Sequence, residues 1–92
     1  MNTEQMDSAQ SEPDRLERRV ALHAALADTT RIRMVDLLSW GDAASSELAA
    51  ALAVPSNLLA HHLKTLENVG LITRQRSEGD RRRTYWRLLP VD

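Results

Sequence analysis

Residues 45–71 read SSELAAALAVPSNLLAHHLKTLENVGL. Ser45 or Ser46 is placed to cap a short helix that runs to about Leu52 and packs through Leu48 and Leu52. A break of about four residues follows, Ala53-Val54-Pro55-Ser56, and a second helix then spans about Asn57 to Val69. Two short helices joined by so tight a turn make a helix-turn-helix. The second helix is two-sided. On a 100° wheel, Leu59, His62, Leu63 and Leu66 gather on one side, and Asn57, Ala60, His61, Lys64 and Asn68 on the other. Gly70 is a C′ glycine, and it places Leu71 at C″ to touch Leu66 at C3.

Downstream, Leu71–Arg76 and Arg82–Leu88 carry strand-forming Ile, Thr, Tyr and Trp, with turn residues Ser77-Glu78-Gly79-Asp80 between them. This predicts a β-hairpin. Its tip is the run Arg81-Arg82-Arg83. Charge is distributed unevenly along the chain. Residues 55–88 hold seven Lys and Arg against three Asp and Glu, a surplus of +4, whereas residues 1–54 hold five Arg against nine acids, a deficit of −4. The near-neutral total of −1 hides this asymmetry. A basic half ending in an arginine-rich hairpin is the footprint of a phosphate-backbone binder.

Upstream, residues 1–13 are polar and without apolar period, and are expected to be a disordered tail. Asp14–Ala27 reads as a first helix, with Leu16, Val20, His23 and Ala27 on one face and Leu22 and Leu26 as a second apolar row. Two rows imply two neighbours, one of which is expected to be a second subunit. Asp28-Thr29-Thr30 offers an N-cap for a second helix to about Trp40. Ile32, Met34, Val35, Leu37 and Leu38 surround that helix almost completely, which predicts a buried, central element. The tryptophans and Tyr85 are expected to plug the core.

Ninety-two residues form one small domain, assigned to residues 14–90. A core of this size is thin, and a partner subunit would help it. There are no cysteines, so disulfides, thiolate metal sites and cysteine nucleophiles are excluded within these residues. No apolar run is long enough to span a membrane. No signal pattern opens the sequence, so the expected location is the cytoplasm. No Gly-rich phosphate loop, Ser/His/Asp set or paired carboxylate stands out, and neither an enzyme nor a cofactor is expected.

The expected fold is therefore mainly α with a β-hairpin, a winged helix-turn-helix of four helices plus a two-stranded wing. A recognition helix entering a major groove about 12 Å wide needs small or hydrogen-bonding residues outward. Ser56, Asn57, Ala60, His61 and Lys64 meet that need. Asn pairs with adenine, Lys with guanine or phosphate, and Ala leaves room for a thymine methyl. Arg74, Arg76, Arg81, Arg82 and Arg83 suit phosphates or a narrow minor groove.

These residues resemble a known family. Ala25-Leu26-Ala27-Asp28-Thr29-Thr30-Arg31-Ile32-Arg33 is similar to the opening signature of the ArsR/SmtB family of bacterial repressors. Ser46-Glu47-Leu48-Ala49 and the run from Ala60 to Ile72 resemble its helix-turn-helix. Residues 55–62 with the wing tip look most like actinobacterial members. The resemblance implies a homodimer that represses by occupying an inverted-repeat operator and leaves it when an inducer binds. Leu16, Val20, Leu22, His23 and Leu26 are the expected dimer contacts. Two departures matter. Thiol-based metalloid sensors of the family place Cys where Ala44 and Ser46 stand here, and zinc-type sensors use ligands on a helix after the wing, beyond the end of this sequence. No metal site is expected. Signalling is expected to come from a small molecule in the dimer groove or a partner protein, ahead of a proton acting through His23 or no inducer at all.

Adjacent His61 and His62 point about 100° apart and do not share a face, which disfavours a two-His metal site. His62 is expected at the core edge, His61 toward DNA or solvent, and His23 half-buried between helices. A second class of reading stays open: a winged-helix dimerisation or protein-interaction module that binds no DNA. The basic wing and the polar outer face of the second helix favour DNA. Single-stranded nucleic acid would call for more exposed aromatics than two Trp and one Tyr supply.

Overall fold

The computed structural model describes residues 12–76, 79 and 83–90. Four helices and three short strands follow in the order α1 (Glu12–Leu26), α2 (Thr29–Leu38), β1 (Ala43–Ala44), α3 (Ser45–Leu52), α4 (Ser56–Asn68), β2 (Ile72–Arg76) and β3 (Thr84–Leu88). No helix among the described residues is long and apolar enough to cross a membrane.

Each boundary has a local cause. The Asp28 side chain accepts from the main-chain N–H of Arg31 at 2.9 Å and starts α2. α3 is capped differently from the serine expectation. Its N-cap is Ala44, and the Glu47 carboxylate reaches back to the Ala44 N–H at 2.7 Å. Ser45 has another task, since its Oγ accepts from the Trp86 indole at 2.9 Å. α3 ends at Ala53, which sits in the left-handed region at φ 57°, ψ 47°. α4 ends in a Schellman turn. Leu71 N–H bonds to the Leu66 carbonyl at 3.1 Å and Gly70 N–H to that of Glu67 at 3.0 Å, with Gly70 at φ 79°. Leu66 and Leu71 are both buried, the apolar contact that goes with such a stop.

The core is one cluster in which α2, α3, α4 and the sheet meet. Met34, Leu48, Leu59, Leu66 and Ile72 are its fully buried members, and Leu38, Leu52, Leu63, Leu71 and Trp86 complete it. The sheet has three strands rather than the expected two, in the order β1-β3-β2, all antiparallel. β1 is a two-residue pairing of Ala43 with Trp86 and Ala44 with Tyr85. So short a strand has no alternating pattern to announce it; the approach of β3 creates it.

Several expectations need correction. The first helix already contains Glu12 and Pro13, two residues given to the tail. The second helix ends at Leu38, not near Trp40. Trp40 is 90% exposed and plugs nothing, because it stands past the last turn of α2, beyond the reach of the core. Ile32 on α2 is exposed as well, so that helix is buried along one side only, through Met34 and Leu38. His23 is exposed rather than half-buried, and its Nδ1 donates to the Arg19 carbonyl at 2.7 Å. The two rows of α1 part company. Leu22 and Leu26 pack against the core of their own chain, whereas Leu16 and Val20 are exposed, Val20 by 67%.

Candidate nucleic-acid interface

The helix-turn-helix is α3, the Ala53–Pro55 turn and α4. With side chains about 100° apart, one row of α4 is turned inward and the other outward. Leu59, His62, Leu63 and Leu66 are buried, while Ser56, Asn57, Ala60, His61 and Lys64 are all exposed. Packing of the inner row on α3 and β2 dictates which residues face out. No side chain caps α4, whose N-cap is Pro55, so the first-turn N–H groups beside Ser56 point outward with the positive end of the helix dipole. Ser46, Ser56 and Ala60 line a shallow cleft between α3 and α4 on the same side.

The wing flanks this surface. In the β2–β3 register Arg74 opposes Trp86 and Arg76 opposes Thr84, so Arg74 and Arg76 lie on the sheet face that also carries buried Trp86 and Ile72. Arg74 does not hang free. Its Nε is 3.3 Å from the Glu67 carboxylate on α4, and its guanidinium lies 5.2 Å from the centre of the Trp86 ring. It braces the wing against α4. The exposed ends of this pair make its electrostatic gain small, and its main effect is orientation. Arg76 is exposed. Arg83 is exposed with its guanidinium 5.3 Å from the Tyr85 ring centre. Arg81 and Arg82 lie outside the described residues. Arg87, given no role from the sequence, clips β3 to the loop before β1 through Asp42 at 3.0 Å.

The histidines differ. His61 is exposed on the outer row, and His62 is 6% exposed on the inner. Burial holds the His62 imidazole below its ordinary pKa; the nearby Asp28 carboxylate opposes that, and the charges of Arg31 and His61 reinforce it. The Asp28 carboxyl is held low chiefly by the hydrogen bond from the Arg31 N–H, against a smaller cost of desolvation. Arg31, absent from the sequence-derived contact residues, connects the two: its Nη1 lies 2.9 Å from His62 Nδ1. A buried, hydrogen-bonding histidine inside the apolar row of α4 was the available signal. Among the described residues no group of three or more His, Cys, Asp or Glu side chains could hold a metal ion.

A helix-turn-helix with an outward polar row and a flanking basic hairpin defines a winged helix-turn-helix DNA-binding protein. The model of the bacterial regulatory protein arsR family matches residues 28–74, and the chain belongs to that family of transcriptional regulators. Solved structures agree. A homodimeric winged helix-turn-helix DNA-binding domain from Mycobacterium bovis, described as a possible ArsR-family transcriptional regulator, is 27% identical, with a TM-score of 0.72 over 79% of this chain. This chain spans 65% of that fragment. A possible transcriptional regulator for arsenical resistance is 33% identical, with a TM-score of 0.66 over 76% of this chain and 69% of its own. HlyU from Vibrio cholerae has the same fold at 22% identity, with a TM-score of 0.72 over 80% of this chain and 77% of its own. No curated protein matches the chain in sequence.

Proposed function

We propose that the chain is a dimeric, sequence-specific repressor that occupies an inverted-repeat operator in double-stranded DNA. The observation that carries this is the outer row of α4, where Ser56, Asn57, Ala60, His61 and Lys64 stand together and exposed, flanked by the wing arginines. Asn57, Ala60 and His61 read base edges; Ser56 and the uncapped first turn of α4 take a phosphate. Lys64, Arg76 and Arg83, with Arg81 and Arg82, supply sequence-independent attraction. Arg74 acts mainly as the brace of the wing, because Glu67 already holds it.

Dimerisation is assigned to α1. Leu16 and Val20 are apolar and exposed in the single chain, and the M. bovis domain of the same fold is a homodimer. His23 borders this strip, while Leu22 and Leu26 support it from the core side. Selecting bound duplexes from a random pool with the purified protein tests the whole reading. Enrichment of an inverted repeat with half-sites about one helical turn apart is the expected result. A non-palindromic consensus refutes the dimer, and no enrichment refutes operator binding.

A further inference from the structure

The head of α2 carries a connection that lies behind the DNA-reading surface. Arg31 is half-buried there. Its Nε donates to the carbonyl of Ala25, in the last turn of α1, at 2.6 Å. Its Nη1 meets Nδ1 of His62, on the inner face of α4, at 2.9 Å. His62 is the one buried polar or charged residue among those described. A single side chain therefore ties the end of the proposed dimerisation helix to the recognition helix. A guanidinium only donates hydrogen bonds, so His62 Nδ1 must accept. The ring is then neutral, with its proton on Nε2. Protonation would set two donors and two positive charges against each other at a part-buried contact, with the ring itself buried.

We propose that Arg31 is a positioning residue for operator binding: through His62 it holds the recognition helix to the end of the dimerisation helix, and it does so only while His62 is neutral. This rests on the reading of the chain as a dimeric operator binder. In a two-fold dimer, the spacing of the two α4 helices depends on how each is held relative to its α1. When the tie opens, α4 is free to shift, and the fraction of dimers matching two successive major grooves falls. The charged groups that act on His62 are Asp28 and Arg31 at the head of α2 and His61 on its own helix, and α1 contributes the uncharged Ala25 carbonyl. Burial, Arg31 and His61 favour the neutral ring, and Asp28 opposes them.

The test compares the native protein with His62→Asn and Arg31→Lys on the duplex enriched from the random pool, at pH 7.5 and 5.5 and fixed salt. Asparagine places an acceptor near the position of Nδ1 and does not titrate. The native protein should bind a few-fold more weakly at pH 5.5; an unshifted histidine sets the ceiling at about tenfold per subunit, about a hundredfold for a dimer that needs both ties. His62→Asn should bind like the native protein at pH 7.5 and lack this acid loss. Arg31→Lys keeps the charge but not the forked geometry; it should bind more weakly already at pH 7.5, with a flattened pH profile. His61 is common to all three proteins and cancels. Nitrogen NMR of the His62 ring in the native protein checks the tautomer without any variant. A proton on Nδ1 at pH 7.5, or His62→Asn with the native acid profile, overturns the proposal. If the native protein binds no duplex at pH 7.5, the operator reading itself fails and takes the role of Arg31 with it.

Discussion

Ala53 holds a backbone conformation that suits it poorly. At φ 57° and ψ 47° it is left-handed, which costs an L-residue about 1–2 kcal/mol and a glycine almost nothing. The turn between α3 and α4 leaves no choice, because Leu52 and Leu59 on either side must both reach the core. Ala53→Gly should therefore stabilise the domain by about 0.5–1 kcal/mol, even after the added freedom of the unfolded chain. Thermal unfolding checks this, and an unchanged or lower Tm contradicts it. On the outer row of α4, Asn57 and His61 are exposed and unburdened by the core. Asn57→Ala or His61→Ala should alter base preference at one operator position by about 1–3 kcal/mol, measured as relative affinity across single-base variants.

Among the elements, the wing is the one whose chemistry and stability separate cleanly. Trp86 and Ile72 anchor its base in the core, Glu67 holds Arg74, and Asp42 holds Arg87. Arg76 and Arg83, nearer the tip, are exposed, and the proposed DNA contact falls to them. Arg83→Ala should weaken binding to all sequences alike and reduce the salt dependence by about one unit of slope, with little change in Tm. Affinity titrations at four or five salt concentrations decide it. A full native slope would place the phosphate contacts elsewhere. α2 offers a different lesson. Its sequence is apolar nearly all round, yet Ile32 faces solvent, since a domain this small has neighbours for one side of that helix only.

At the scale of the molecule, the exposed Leu16 and Val20 strip and the thin core argue for assembly. Burying two such side chains contributes about 1.5–3 kcal/mol each. Val20→Asp should yield a folded monomer that no longer binds the palindromic duplex, as read by sedimentation and affinity together. A Val20→Asp dimer of native affinity would move the interface off α1. Stability should also depend on pH in a defined direction. His62 is held below its ordinary value of 6.5, so the unfolded chain takes up a proton more readily than the native one. Its contribution is absent above about pH 6.5, and stability falls as the pH drops from there toward the lowered native value. Asp28 acts in a separate, more acidic window. Its lowered pKa adds stability above its ordinary 3.8 that is lost on descent below it. Urea denaturation at stepped pH, with His62→Asn flattening only the upper window, checks both.

Local order was legible in the residues at most points where a short-range rule governs it, the serine cap of α3 excepted. Asp28 as a cap, Gly70 with Leu71 as a stop, and the inner and outer rows of α4 all follow from hydrogen-bond geometry and the 3.6-residue period, within one or two turns of chain. The winged helix-turn-helix follows from placing those elements in order. Contacts between distant residues were not legible. β1 exists because Trp86 arrives beside Ala43, Ser45 is taken from capping by the same indole, and Trp40 is left outside. Arg31 and His62 are 31 residues apart, and no period links them. Sequence by itself determined the four helices, the two wing strands and the buried row of α4, because those depend on neighbours along the chain. Only tertiary packing decided which polar side chains meet across the core, because that depends on how the buried faces close on one another.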